Sequence, residues 1–187
     1  MDFTSFREYR EHVRGLLAGQ PSSLVFGFCV SCVERIVALY GDALNEDYSP
    51  AERDRVSQIV AELVESAAHD QPLDGTRAHA IMVELENMGP TDEIRKIEIQ
   101  PDAIEILCCL WNALDFSRSG KIESAEHASE NIINALDYNF SQEGGKFLDL
   151  DTMFALPIFR EEVERQEAVI KRLRDWVDTG NDKTQES

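Results

Sequence analysis

The sequence predicts an all-α fold, a single-domain bundle of six to seven helices over residues 1–180 with a disordered tail at 181–187. Three observations predict it. Apolar side chains recur at steps of three and four almost throughout, the spacing that gathers them on one helix face. Proline and glycine punctuate these segments where helices start and stop. No run alternates apolar and polar as a half-buried strand would, and no glycine-rich loop leads from strand to helix. A length of 187 residues, 43% of them apolar, suffices for one hydrophobic core.

Phe6, Val13, Leu16 and Leu17 define a first helix, ended by Gly19-Gln20-Pro21. Val25, Cys29, Cys32, Val33, Ile36 and Tyr40 give the second one continuous stripe. Ser49-Pro50-Ala51-Glu52 reads as a capping box with proline in the first turn, followed by Val56, Ile59, Val60, Leu63 and Ala67 on one face. A fourth helix begins near Asp74, carries Ala78, Ile81, Met82 and Leu85, and stops at Gly89-Pro90. Residues 91–100 fit neither period, so a helical turn and an extended linker both remain open. Pro101 opens a segment that is apolar nearly all round, the mark of a central helix. After Ser119-Gly120 comes a helix with Ile122, Ala125, Ser129, Ile132, Ile133, Leu136 and Phe140 on one face, broken by SQEGGK. The last helix spans Pro157 to about Asp178, with Val163, Ile170, Leu173 and Val177 in line. Acids crowd its start and Lys171, Arg172 and Arg174 lie near its end, an order that complements the helix dipole.

Charge limits the partners. With 36 acidic against 18 basic residues the net charge is −18 at pH 7. Nucleic acid, which is bound through cationic contacts to phosphate, is disfavoured, and so is an anionic membrane surface. The N-terminus is charged and amphipathic rather than basic-then-apolar, and no uninterrupted apolar run reaches the ~18 residues of a spanning helix. A cytoplasmic protein with reduced cysteines is expected.

Cys29 and Cys32 have the spacing of zinc and redox pairs, but they share the stripe of Val25, Val33 and Ile36. They sit inside a helix rather than at its N-terminus, where the dipole would lower a thiol pKa. Adjacent Cys108 and Cys109 point about 100° apart, so at most one could join them. His12, His69, His79 and His127 show no metal spacing. The expectation is core packing.

Residues 115–126, DFSRSGKIESAE, can be laid against a twelve-residue calcium loop, with Asp115, Ser117, Ser119 and Glu126 as ligands and Gly120 at the tight turn. The other reading of the same residues is a hairpin turn at Ser119-Gly120, followed by first-turn acids. No nucleophile elbow, phosphate loop, HExxH or dinucleotide fingerprint is present. Nor does Glu123, Glu126 or His127 supply the Glu-x-x-His pairs of a di-metal bundle.

The run Cys32-Val33-Glu34-Arg35 with Tyr40 resembles the Cys-x-Glu-Arg, then Tyr, segment of the YjaG-like bacterial family of unknown function. Ser119-Gly120 through Ala125, Ala128 and Ser129, and Glu164 and Gln166 ahead of Ile170 and Leu173, are similar to that family's later helices. The resemblance implies an all-helical fold, a bacterial origin and a plain hairpin turn at Ser119-Gly120, and it implies no activity.

The expected function is therefore binding: a non-enzymatic acidic domain that covers a basic surface, foremost a bacterial immunity protein neutralising a cognate toxin. Glu84, Glu86, Asp92, Glu93, Glu161 and Glu162 are the expected contacts. The alternatives are a calcium or small-ligand binder through residues 115–126 and a small helical enzyme.

Overall fold

A computed structural model describes residues 3–89, 99–144 and 153–182. The order is α1 (Phe6–Leu17), α2 (Ser22–Tyr40), a 3-10 turn (Gly41–Ala43), α3 (Leu44–Asp47), α4 (Pro50–Ala68), α5 (Gly75–Glu86), α6 (Pro101–Ser119), α7 (Ile122–Gly144) and α8 (Pro157–Asp182). Among the described residues there is no strand, and the fold is all-α.

Local chemistry sets the helix starts. Ser5 caps α1 by accepting from the Glu8 amide. At α4 the capping box is complete: Ser49 Oγ accepts from the Glu52 amide while the Glu52 carboxylate accepts from the Ser49 amide at 2.8 Å. Asp74 accepts from the amides of Thr76 and Arg77 at the head of α5. Such caps are each worth roughly 1 kcal/mol. Helix α6 ends on Gly120 at φ 67°, a left-handed position that glycine occupies without steric penalty.

Helix α2 has no side-chain cap and is held by burial instead. Leu24, Phe26, Phe28 and Val30 are buried beyond the expected stripe, because α2 packs against α4, α6, α7 and α8. It is thus as central as α6, which packs against α2, α5 and α7. Each such aliphatic or aromatic side chain contributes on the order of 1.5–3 kcal/mol when removed from water. The stretch Ser22–Asp47 is long and apolar enough, by length and composition, to cross a membrane, and half of its most apolar window is buried inside the fold. Helix α6 is central but not inward-facing all round: Ile104 and Cys108 are exposed.

Around α1 the core is aromatic. Tyr9 stacks on Phe154 at 5.5 Å between ring centres, and Phe3 meets the same ring edge-on at 5.4 Å. At Gly27, a Cβ would lie 3.3 Å from Leu173 Cδ2, so the absent side chain sets how closely α2 and α8 approach. The groove beside that contact, of about 360 Å³, includes Val30, Val64, Val169 and the half-exposed Trp176.

Two boundaries differ from expectation. Helix α7 continues through SQEG to Gly144, because Ser141 is buried and donates to Asp137 at 3.4 Å, which keeps the turn in register. Helix α8 runs to Asp182, past the expected domain end at 180, and the Thr179 hydroxyl bonds back to the Asp175 carbonyl there. The rest of the expected tail, 183–187, and most of the ambiguous segment 91–100 lie outside the described residues.

Candidate functional site

Where α1, α2, α7 and α8 meet, polar side chains assemble inside the core. Glu162 and Gln166 stand one turn apart on α8, both 2% exposed. The Tyr9 hydroxyl of α1 donates to Gln166 Oε1 at 2.5 Å. Gln166 Nε2 donates to Glu162 Oε1 at 3.1 Å and to the Ser129 carbonyl of α7 at 3.4 Å. Arg35 Nε of α2 reaches Glu162 Oε2 at 3.1 Å, and Arg165 Nε reaches both carboxylate oxygens at 2.9 and 3.0 Å. The two guanidinium groups are partly exposed while the carboxylate is enclosed, so the charge pair spans from surface to core. Removing one partner of such a pair costs about 3–5 kcal/mol, because the other loses its compensation.

Burial pushes the Tyr9 phenol far above its ordinary value. It also pushes the Cys32 thiol up to about 12, with the Arg165 charge opposing that rise. Both groups are therefore neutral at pH 7, and Tyr9 takes part in the network as a hydrogen-bond donor.

This arrangement corrects the reading of Glu162 as a solvated contact. Successive residues on a helix point about 100° apart, so Glu161 and Glu162 cannot share a face. Glu161 is exposed and Glu162 points inward. Of the other expected contacts, Glu86 is exposed. Glu84 is engaged with Arg55 through two bonds of 2.7 Å. Asp92 and Glu93 lie outside the described residues.

The twelve-residue calcium loop is not formed. Helix α6 continues to Ser119 and α7 starts at Ile122, so only Gly120 and Lys121 join them. Asp115 accepts from Ser124 Oγ at 2.7 Å and from Arg118 at 2.6 Å. The Ser117 hydroxyl turns back to the Ala113 carbonyl at 3.2 Å, and Ser119 Oγ lies 3.4 Å from Asp115. Glu126 faces α1, where Arg14 donates to it at 2.6 and 3.0 Å. Of the four expected ligands, Asp115 and Ser119 thus stay together while Ser117 and Glu126 turn to other neighbours, because helical geometry persists where the loop would have wrapped. Among the described residues no group of three or more His, Cys, Asp or Glu side chains is placed to hold a metal.

Cys29, Cys32 and Cys109 are buried, and burial raises the Cys29 and Cys109 thiols well above their ordinary value. Cys109 Sγ sits 3.4 Å from the Ala128 carbonyl in the α6–α7 seam. They behave as small apolar residues with a weak donor, as their stripe position implies.

One feature escaped the sequence. Between the end of α2, the 3-10 turn, α3 and α4 lies a cleft of about 470 Å³. Val37, Leu44, Val56 and Val60 line it, together with Asp42, Asn45, Arg53, Asp54 and Ser57. Asp42 and Asp54 are both exposed, and they belong to different elements twelve positions apart. No acidic run announces them; the only sequence signal is a one-turn step from each aspartate to a polar neighbour, Asn45 and Ser57.

No protein-family model, curated protein or solved structure matches the chain. Arg35, Ser129 and Gln166 meet in the buried network at the junction of α2, α7 and α8.

Proposed function

We propose that this chain is a non-enzymatic acidic protein-binding domain of the bacterial cytoplasm that covers a basic surface on its partner, as an immunity protein covers a toxin. The observation that carries this reading is the distribution of charge. Arg14, Arg35, Arg55, Arg77 and Arg165 pair with carboxylates of the same chain. With twice as many acids as bases, carboxylates are left over, and Asp54, Glu86 and Glu161 face solvent. Such a surface accelerates encounter with a cationic partner and repels anionic ones.

The test is capture of a partner from native cytosol, followed by titration of the purified pair. A specific partner held at about 50 mM salt and released near 500 mM, with weaker binding to a Glu86→Lys/Glu161→Lys variant, supports the reading. A partner retained at both salt concentrations and indifferent to the charge reversals removes it.

A further inference from the structure

We infer that the cleft between α2 and α4 is the anchor point for an arginine side chain of the basic partner. This inference rests on the acidic-binding reading and assigns it a place and a chemistry. The cleft combines two surfaces that an arginine needs together. Its apolar part is formed by Leu44 and Val56, both buried, with Val37 and Val60 half-buried beside them. That surface suits the aliphatic stem. Its polar part carries Asp42 and Asp54, which suit the guanidinium fork.

Both carboxylates retain capacity to accept. Asp54 has no hydrogen-bond or ion-pair partner among the described residues, and Asp42 accepts from Asn45 Nδ2 at 3.3 Å. The cleft's resident cation is engaged with a neutral partner: Arg53 Nη1 donates to Asn45 Oδ1, and among the described residues it forms no ion pair with either aspartate. A bare metal ion would gain nothing from the valines, and a purely apolar side chain would leave the carboxylates without a counter-charge. At about 470 Å³ the space holds one long side chain with some flanking backbone.

The test uses the full chain and two small probes, acetyl-arginine amide and its neutral isostere acetyl-citrulline amide, followed by backbone amide shifts at low salt. The expected result is saturable shifts at Asp42, Asn45, Asp54, Ser57 and Val60 with the arginine probe only. Asp42→Asn/Asp54→Asn should weaken binding about tenfold. Ser57→Arg, which places a guanidinium at the exposed rim, should remove it, with the amide spectrum elsewhere unchanged in both variants. Equal binding of citrulline overturns the inference, and so does absence of shifts with either probe. Shifts centred on Glu86 or Glu161 instead overturn the cleft while leaving the acidic-binding reading intact. That reading fails separately, through the salt and charge-reversal titration of the native partner.

Discussion

At the junction of α1, α2, α7 and α8, the Glu162 carboxylate is enclosed by Arg35, Arg165 and Gln166. At the mouth of the α2–α4 cleft, Asp42 and Asp54 stand in water with few or no partners. The two regions use the same functional group for opposite ends. In the first, desolvation makes each hydrogen bond costly to lose, so the acid ties helices together. In the second, the carboxylates contribute little to the fold and remain available to another molecule. An excess of acids is therefore not one property. Its meaning depends on which side of a helix each acid occupies.

The sharpest way to break this contrast is Glu162→Ala. It should lower stability by about 3–5 kcal/mol in urea denaturation, because Arg165 and Arg35 lose their counter-charge and Gln166 loses an acceptor. A loss below about 1 kcal/mol would place Glu162 in the same class as a surface acid. Tyr9→Phe should cost about 1–2 kcal/mol, since Gln166 Oε1 is left buried without its donor. Unchanged stability there would mean that the aromatic stack on Phe154, and not the hydroxyl, holds α1.

The pH dependence adds a third case, intermediate between the two. Burial raises the Glu105 carboxyl above its ordinary value, partly opposed by hydrogen bonds from Asn131 and Asn134. A carboxyl whose folded pKa is raised contributes stability that is complete below its unfolded pKa and lost as pH climbs through the folded one. Glu105→Gln lacks that loss, so its stability relative to the parent should increase between the ordinary glutamate range and neutrality. A stability difference, variant minus parent, that stays flat or falls over this range contradicts the assignment. The smallest effect belongs to the cleft: Asp54→Asn should change stability by no more than about 0.5 kcal/mol, measured in the same denaturation series. A larger loss would show that the cleft acids are structural after all.

Helix positions were legible because apolar spacing and caps act locally. Ser49-Pro50-Ala51-Glu52 specifies its turn within four residues, and the structure forms that box. The stripe of Cys29, Cys32 and Ile36 was legible for the same reason. What was not legible depends on neighbours. Periodicity assigns α2 one stripe, yet Phe26 and Phe28 are buried as well, since several helices surround it. Glu161 and Glu162 look alike as acids near the start of α8, and only the approach of α1 and α2 separates them. The calcium-loop spacing does not by itself gather its residues, because the same spacing is satisfied by a helix–turn–helix in which Asp115 and Glu126 face different elements. The cleft was hidden because Asp42 and Asp54 are brought to one opening by the hairpin of α2 and α4, a long-range event.

The missing side chain at Gly27 has an optical consequence. Leu173 presses against bare backbone there, and Trp176 lies along the same seam, half in water. Any lifting of the last helix must alter the solvation of that indole, so its emission colour doubles as an internal gauge of whether the seam is shut.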